Sequence, residues 1–129
     1  MTSSRGNIVI VEDDAGLNRA LSRLLRVAGF HVTHFESGSS ALASGALRQA
    51  DCLVFDVHLA EMTCYDLKQL LAEDGPSPPV IVITADDDEE SRRQAQAMGV
   101  AAYLTKPFAG HVLLKEVTRA IGSRDHSVT

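Results

Sequence analysis

Asp56 follows four apolar residues, Cys52, Leu53, Val54 and Phe55. A buried strand that stops on a carboxylate sets that carboxylate at the mouth of a sheet, where open α/β folds bind their ligands. The run Ile8, Val9, Ile10, Val11 ends the same way, on Glu12, Asp13 and Asp14. Val80, Ile81, Val82 and Ile83 end on Thr84, and Ala101, Ala102, Tyr103 and Leu104 are followed by Thr105, Lys106 and Pro107. Acids gathered at adjoining strand ends repel one another and raise their own pKa values unless a cation joins them. Magnesium suits such a set, since it takes one or two carboxylates, keeps several waters and uses phosphate oxygens for the rest. An aspartate is a competent nucleophile toward phosphorus, and a lysine with a metal ion neutralises the charge that develops there. The residues therefore describe a site for a divalent cation and a phosphoryl group.

Helix capping accounts for some of these acids. Asp14 is well placed as the N-cap of the helix that follows it. One cap cannot absorb Glu12, Asp13 and Asp56, which lie on two strands. Thr84 also suits a turn or cap before a helix beginning near Asp86, a role compatible with a functional one.

Between the apolar runs lie segments of helical length, the alternation that marks a parallel sheet with crossover helices. Leu17, Ala20, Leu21, Leu24, Leu25 and Ala28 follow a 3.6-residue period, and Gly29 suits a stop. Residues 37–50 read as a weaker helix interrupted by Gly45, and residues 66–73 as a short one ending before Gly75 and Pro76. Residues 86–98 open on five consecutive acids, with Asp86 and Glu89 at capping-box spacing. The last helix carries Leu113 or Leu114, Val117 and Ile121 and is expected to end near Gly122. Continuous apolar runs belong in strands covered on both faces, so residues 8–11, 52–55 and 80–83 are expected at the centre of the sheet. The more polar strand at residues 30–35 and the short one at 101–104 then fall at the edges. Right-handed connections lead to a doubly wound, flavodoxin-like five-stranded parallel sheet of order 2-1-3-4-5 with helices on both faces. Its chain reversal brings Glu12, Asp13 and Asp56 together.

The 129 residues suit one domain, expected over residues 8–122 between an N-terminal tail at 1–7 and a C-terminal tail or linker start at 123–129. A net charge of −5 argues against direct nucleic-acid binding by this domain. No apolar stretch approaches the roughly 20 residues that span a bilayer, and residues 1–7 lack a signal-peptide core. A cytoplasmic location is expected, with Cys52 in the core and Cys64 as a reduced loop thiol. His31 and His34 stand three apart in a strand, on opposite faces, and do not suit a shared metal. His111 and His126 read as solvated.

The set of Glu12 with Asp13, Asp56, Thr84 with Ala85, and Lys106 with Pro107 and Phe108 resembles the receiver domain of two-component response regulators, over roughly residues 8–122. That resemblance implies a regulator rather than an enzyme, one that catalyses only its own phosphoryl transfer and hydrolysis. Asp56 would accept a phosphoryl group from a sensor histidine kinase or phosphotransfer protein. Asp13, Asp56 and the backbone carbonyl of His58 would hold magnesium, for which manganese can substitute, with Glu12 acting directly or through water. Lys106 would pair with Asp56 and then with the phosphoryl oxygens, Thr84 would donate its hydroxyl to them, and Tyr103 would turn inward in the active state. The resemblance also implies a cis bond before Pro107 and a homodimer on phosphorylation. A stand-alone receiver and one joined to a DNA-binding domain both remain open.

Some positions depart from the pattern. Leu59, Ala60 and Cys64 stand where many receivers carry Met, Pro and Gly, so the loop after Asp56 is expected to have its own geometry. His58 and Asp86 flank the expected phosphoryl position and could tune hydrolysis. Two other classes compete. A haloacid-dehalogenase-type phosphohydrolase needs a second acid two residues after its nucleophile, where this chain has His58. A flavodoxin-like cofactor binder needs a Ser/Thr/Gly-rich phosphate loop where this chain has Glu12, Asp13 and Asp14.

Overall fold

The computed structural model describes residues 5–59 and 61–128, with side chains described as far as Gly122. The expectations for His126, for Ala60 and for the first four residues lie outside that range. Five strands, β1 (Asn7–Val11), β2 (His31–Phe35), β3 (Cys52–Asp56), β4 (Val80–Thr84) and β5 (Ala102–Thr105), form a parallel sheet of order β2-β1-β3-β4-β5. This is the expected order, with the polar strand and the short strand at the edges. The connections are α1 (Ala15–Val27), α2 (Gly38–Ser44), α3 (Cys64–Ala72), α4 (Glu89–Ala97) and α5 (Gly110–Val128). No described helix is long and apolar enough to cross a membrane.

Alternation along the central strands explains their unbroken apolar runs. Ile8, Ile10, Cys52, Val54, Ile81 and Ile83 pack with Leu21 and Leu25 of α1 and Leu113 and Val117 of α5. Val9, Val11, Leu53, Phe55, Val80 and Val82 pack on the other face with Leu67 and Leu71 of α3 and Ala95 of α4. Side chains of a strand point alternately to opposite faces, so a strand with two covered faces has no place for a polar residue until it ends. The ends are where Asp56 and Thr84 stand. Leu113 and Val117 are wholly buried. At about 2 kcal/mol for each such side chain, they fix α5, and with it the turn that carries Lys106.

Several expected helix boundaries move, each for a local reason. The expected helix over residues 37–50 is two pieces, because Gly45 adopts φ 75° and ends α2 before a 3-10 turn over Ala46–Gln49. Helix α3 starts before Asp66, since Thr63 caps it and Asp66 answers from the third position. Cys64 is accordingly no loop thiol but a buried first residue of α3, its pKa pushed to about 12 by burial and then by the charges of Asp56 and Asp66. Helix α4 begins later than Asp86, because the Thr84 hydroxyl engages Asp86 and the cap passes to Asp88, which accepts from the Ser91 N–H. Helix α5 does not stop at Gly122 but runs to Val128.

Helix α1 also turns differently from its apolar period. Its buried face includes Asn18 and Ser22 beside Leu21 and Leu25, while Ala20 is exposed. The Asn18 amide donates to the Glu12 carbonyl at 3.0 Å and to the Phe35 carbonyl at 2.9 Å, and so ties α1 to the ends of β1 and β2. Replacing Asn18 with Ala removes both donors from a buried position, a loss of about 2 kcal/mol. We expect urea denaturation to show a lower midpoint of that size with an unchanged slope; an unchanged midpoint would show that the amide does not hold the strand ends.

Candidate functional site

Strand alternation decides which way each end residue faces. Asp56 shares its parity with Cys52 and Val54, toward α1 and α5, while Thr84 shares its parity with Val80 and Val82, toward α3 and α4. Lys106 leaves β5 with its N–H donating to the Thr84 carbonyl at 2.7 Å, and the Lys106–Pro107 bond is cis, as the resemblance implies.

From there the Lys106 ammonium donates to Asp56 Oδ2 at 2.6 Å and to Glu12 Oε1 at 2.8 Å. The second oxygen of each acid is also engaged. Asp56 Oδ1 accepts from the His58 N–H at 2.9 Å, and Glu12 Oε2 accepts from the Asp14 N–H at 3.0 Å. Glu12 is wholly buried and Asp56 is 7 % exposed, whereas Asp13 is open to solvent. Asp14 caps α1, accepting from the Leu17 N–H, as expected of it.

Glu12, Asp13 and Asp56 each offer a ligand atom within 4.8 Å of the others. Three carboxylates share one ammonium here, so the cluster keeps an excess of negative charge. Burial pushes the Glu12 carboxyl up to about 7 against the Asp14 N–H and Lys106, with the charge of Asp56 adding to the rise. Lys106 loses solvation on entering the site, yet its bonds to Asp56 and Glu12 hold its pKa above the usual value. A hard divalent cation relieves this imbalance, and the all-oxygen donor set suits magnesium rather than zinc, which favours His and Cys.

The remaining residues form the opposite wall. The Thr84 hydroxyl is buried, accepts from the Asp86 N–H at 3.0 Å and donates to the Asp86 carbonyl at 3.2 Å. The His58 imidazole lies 3.6 Å from the Asp86 carboxylate, so the two residues expected to flank the site meet across it. After Asp56, the Leu59 N–H donates to the Met62 carbonyl, and His58 bridges Thr63. Tyr103 is half-buried against the α3 and α4 side of the core, with its hydroxyl enclosed. Sequence reasoning missed Asn18, a lone amide on an apolar helix face, and missed the pairing of Arg92 with Asp87, whose only signal was the five-residue spacing of opposite charges.

The Glu12 shift has a defined sign. Its folded pKa stands above the ordinary value of 4.5, at about 7, so between those limits the folded chain holds a proton that the unfolded chain has released. Stability from this group is complete below 4.5 and is lost as pH rises through about 7. In metal-free buffer, urea midpoints of the parent should therefore fall between pH 5 and 8 more than those of Glu12→Gln; parallel profiles would count against this assignment.

The comparisons with known proteins agree with this geometry. The family described as response regulator receiver domain matches residues 8–118. Response regulator protein TmoT of Ectopseudomonas mendocina is 33% identical over 94% of this chain and 55% of its own length. The probable transcriptional regulatory protein SilR of Salmonella typhimurium is 34% identical over 85% of this chain and 48% of its own. The chain thus spans about half the length of the curated relatives it matches. Among solved structures, the BeF3-activated DrrB receiver domain superposes with a TM-score of 0.82 at 28% identity, over 91% of this chain and 97% of that one. The receiver domain of a signal transduction histidine kinase from Syntrophus aciditrophicus gives 0.81 at 29% identity, over 92% and 91%. The family match over most of the chain, joined to the strand order and the acidic cluster beside Lys106, establishes that this chain belongs to the response regulator receiver domains of two-component systems.

Proposed function

We propose that this chain is a phospho-accepting switch in which Asp56 takes a phosphoryl group from a phosphohistidine on a sensor histidine kinase or phosphotransfer protein, in the cytoplasm. The observation that carries the reading is the Asp56 carboxylate at the end of a central strand, 2.6 Å from the Lys106 ammonium and beside two further acids. In the transfer, a carboxylate oxygen of Asp56 attacks phosphorus, the bond to the histidine nitrogen breaks, and that nitrogen keeps the electron pair. Lys106 neutralises charge on the phosphoryl oxygens. Glu12, Asp13 and Asp56, with the His58 carbonyl, would hold magnesium, or manganese in its place, which when bound supplies further charge neutralisation. Beyond its own phosphorylation and hydrolysis the chain turns over no substrate.

Incubation with acetyl phosphate and magnesium should add one phosphoryl group by intact mass. Asp56→Asn should abolish that addition. Asp13→Ala should lose magnesium binding and labelling together while unfolding stays cooperative. Normal labelling of Asp56→Asn would overturn the assignment.

The phosphoryl group would draw the Thr84 hydroxyl away from Asp86 and let Tyr103 turn further inward, shifting the face formed by α4, β5 and α5. Helix α4 suits this role, since only Ser91 and Ala95 are buried along it. Elements with few buried apolar contacts are the least costly to displace. The exposed face would then dock a second copy of the domain or an output domain. Beryllofluoride should move amide signals across residues 84–110 and raise the sedimenting mass. Absence of those shifts would defeat the switch, and shifts without a mass change would defeat only the dimer.

A further inference from the structure

Helix α4 is held at its two ends by different means. Its C-terminal end leads into Met98 and Val100, which pack against the core of that face. Its N-terminal half buries only Ser91 before Ala95. The pairs of Arg92 with Asp87 and of Arg93 with Glu89 lie near the surface, where ion pairs contribute little. What seats Ser91 comes from α3. The Tyr65 hydroxyl donates to the Ser91 carbonyl at 2.9 Å and lies 3.0 Å from the Ser91 hydroxyl, and both residues are buried. With the Tyr65 proton committed to the carbonyl, the Ser91 hydroxyl donates back to Tyr65. Burial pushes the Tyr65 pKa up to about 12, so the hydroxyl keeps its proton.

Tyr65 is in turn fixed to the loop after Asp56. The N–H of its neighbour Cys64 donates to the Val57 carbonyl at 2.9 Å, Thr63 bridges His58, and the His58 N–H donates to Asp56 Oδ1. Hydrogen bonds and the first turn of α3 thus join Asp56 to the first turn of α4. We propose that Tyr65 is a positioning residue that seats the N-terminal half of α4 and transmits to it any rearrangement of the loop after Asp56. The route passes through α3 and not through Thr84. A hydrogen bond holds over a narrow range of distance, so a shift at the start of α3 must carry Ser91 along or leave a buried donor without its acceptor. An apolar contact in the same place is non-directional and would let the two helices slide. Modification of the Asp56 carboxylate changes the acceptor of the His58 N–H, where the route begins. That use of it rests on the proposed phosphorylation of Asp56, whereas the seat and the coupling do not.

Two measurements without metal or phosphoryl donor test it. In Tyr65→Phe, which keeps the ring, the amides of Arg92, Arg93, Gln94 and Ala95 should exchange about tenfold faster relative to those of α1 and α5. A uniform change across the helices would overturn the seat. Asp56→Ala removes the acceptor of the His58 N–H and leaves Lys106 paired with Glu12. It should move the amide signals of residues 91–95 in the parent chain and leave them in place when added to Tyr65→Phe. Shifts of equal size in both backgrounds, or none in either, would overturn the transmission, since only a difference between backgrounds measures coupling. If both results hold while acetyl phosphate fails to label Asp56 in the parent, the tether stands and the phosphoacceptor reading falls. Normal labelling with equal shifts would do the reverse.

Discussion

One ammonium group closes the sheet. Lys106 donates to Glu12 across 94 residues of sequence and to Asp56 across 50, and it reaches them from the edge strand by crossing the end of β4. Two buried carboxylates at neighbouring strand ends would otherwise face each other with no counter-charge, an arrangement that costs several kcal/mol per ion. The contact depends on the far side of the molecule. Leu113 and Val117 seat α5 on the sheet, and the paired ends of β4 and β5, Thr84 with Thr105, set where the turn to Lys106 begins.

That closure is incomplete, because one ammonium faces three carboxylates. A single positive charge serves three acids, burial pushes the Glu12 carboxyl up to about 7, and Asp13 faces solvent. A hard divalent cation would offset the charge that Lys106 alone does not. The Asn18 amide supports the arrangement from behind by holding the Glu12 carbonyl, so that the acid is fixed by its backbone as well as by its side chain.

The helices that cover the sheet differ in how firmly they are seated. On one face α1 and α5 bury leucine, valine and alanine side chains against the isoleucines of β1 and β4 and against Cys52 and Val54 of β3. On the other, α4 meets the core through Ser91 and Ala95, with the Tyr65 hydroxyl donating to the Ser91 carbonyl. Lys106, Glu12 and Asp56 lie on the α1 and α5 side, whereas Thr84, Asp87, Arg92 and Tyr103 lie beside α4, the sparsely packed helix. Chemistry needs fixed geometry, and signalling needs an element that moves at small cost, so this division suits a switch.

The sequence by itself determined the strands, their order and the membership of the acidic site. Three unbroken apolar runs ending on acids or a hydroxyl have few other solutions, because a strand covered on both faces admits polar side chains only where it stops. Local chemistry that needs a partner was less legible. Cys64 read as a loop thiol until Thr63 and Asp66 were seen to cap a helix ahead of the expected start, and Asp86 read as a cap until the Thr84 hydroxyl was found to hold it. Asn18 broke an apolar period for a reason that only the carbonyls of Glu12 and Phe35 supply. Tertiary structure alone decided which side chains share hydrogen bonds: Lys106 with two acids, His58 with Asp86, Arg92 with Asp87 above Tyr103. The physical reason is range, since apolar periodicity is written locally along the chain, whereas a hydrogen bond depends on a few tenths of an ångström between atoms that sequence separates by tens of residues.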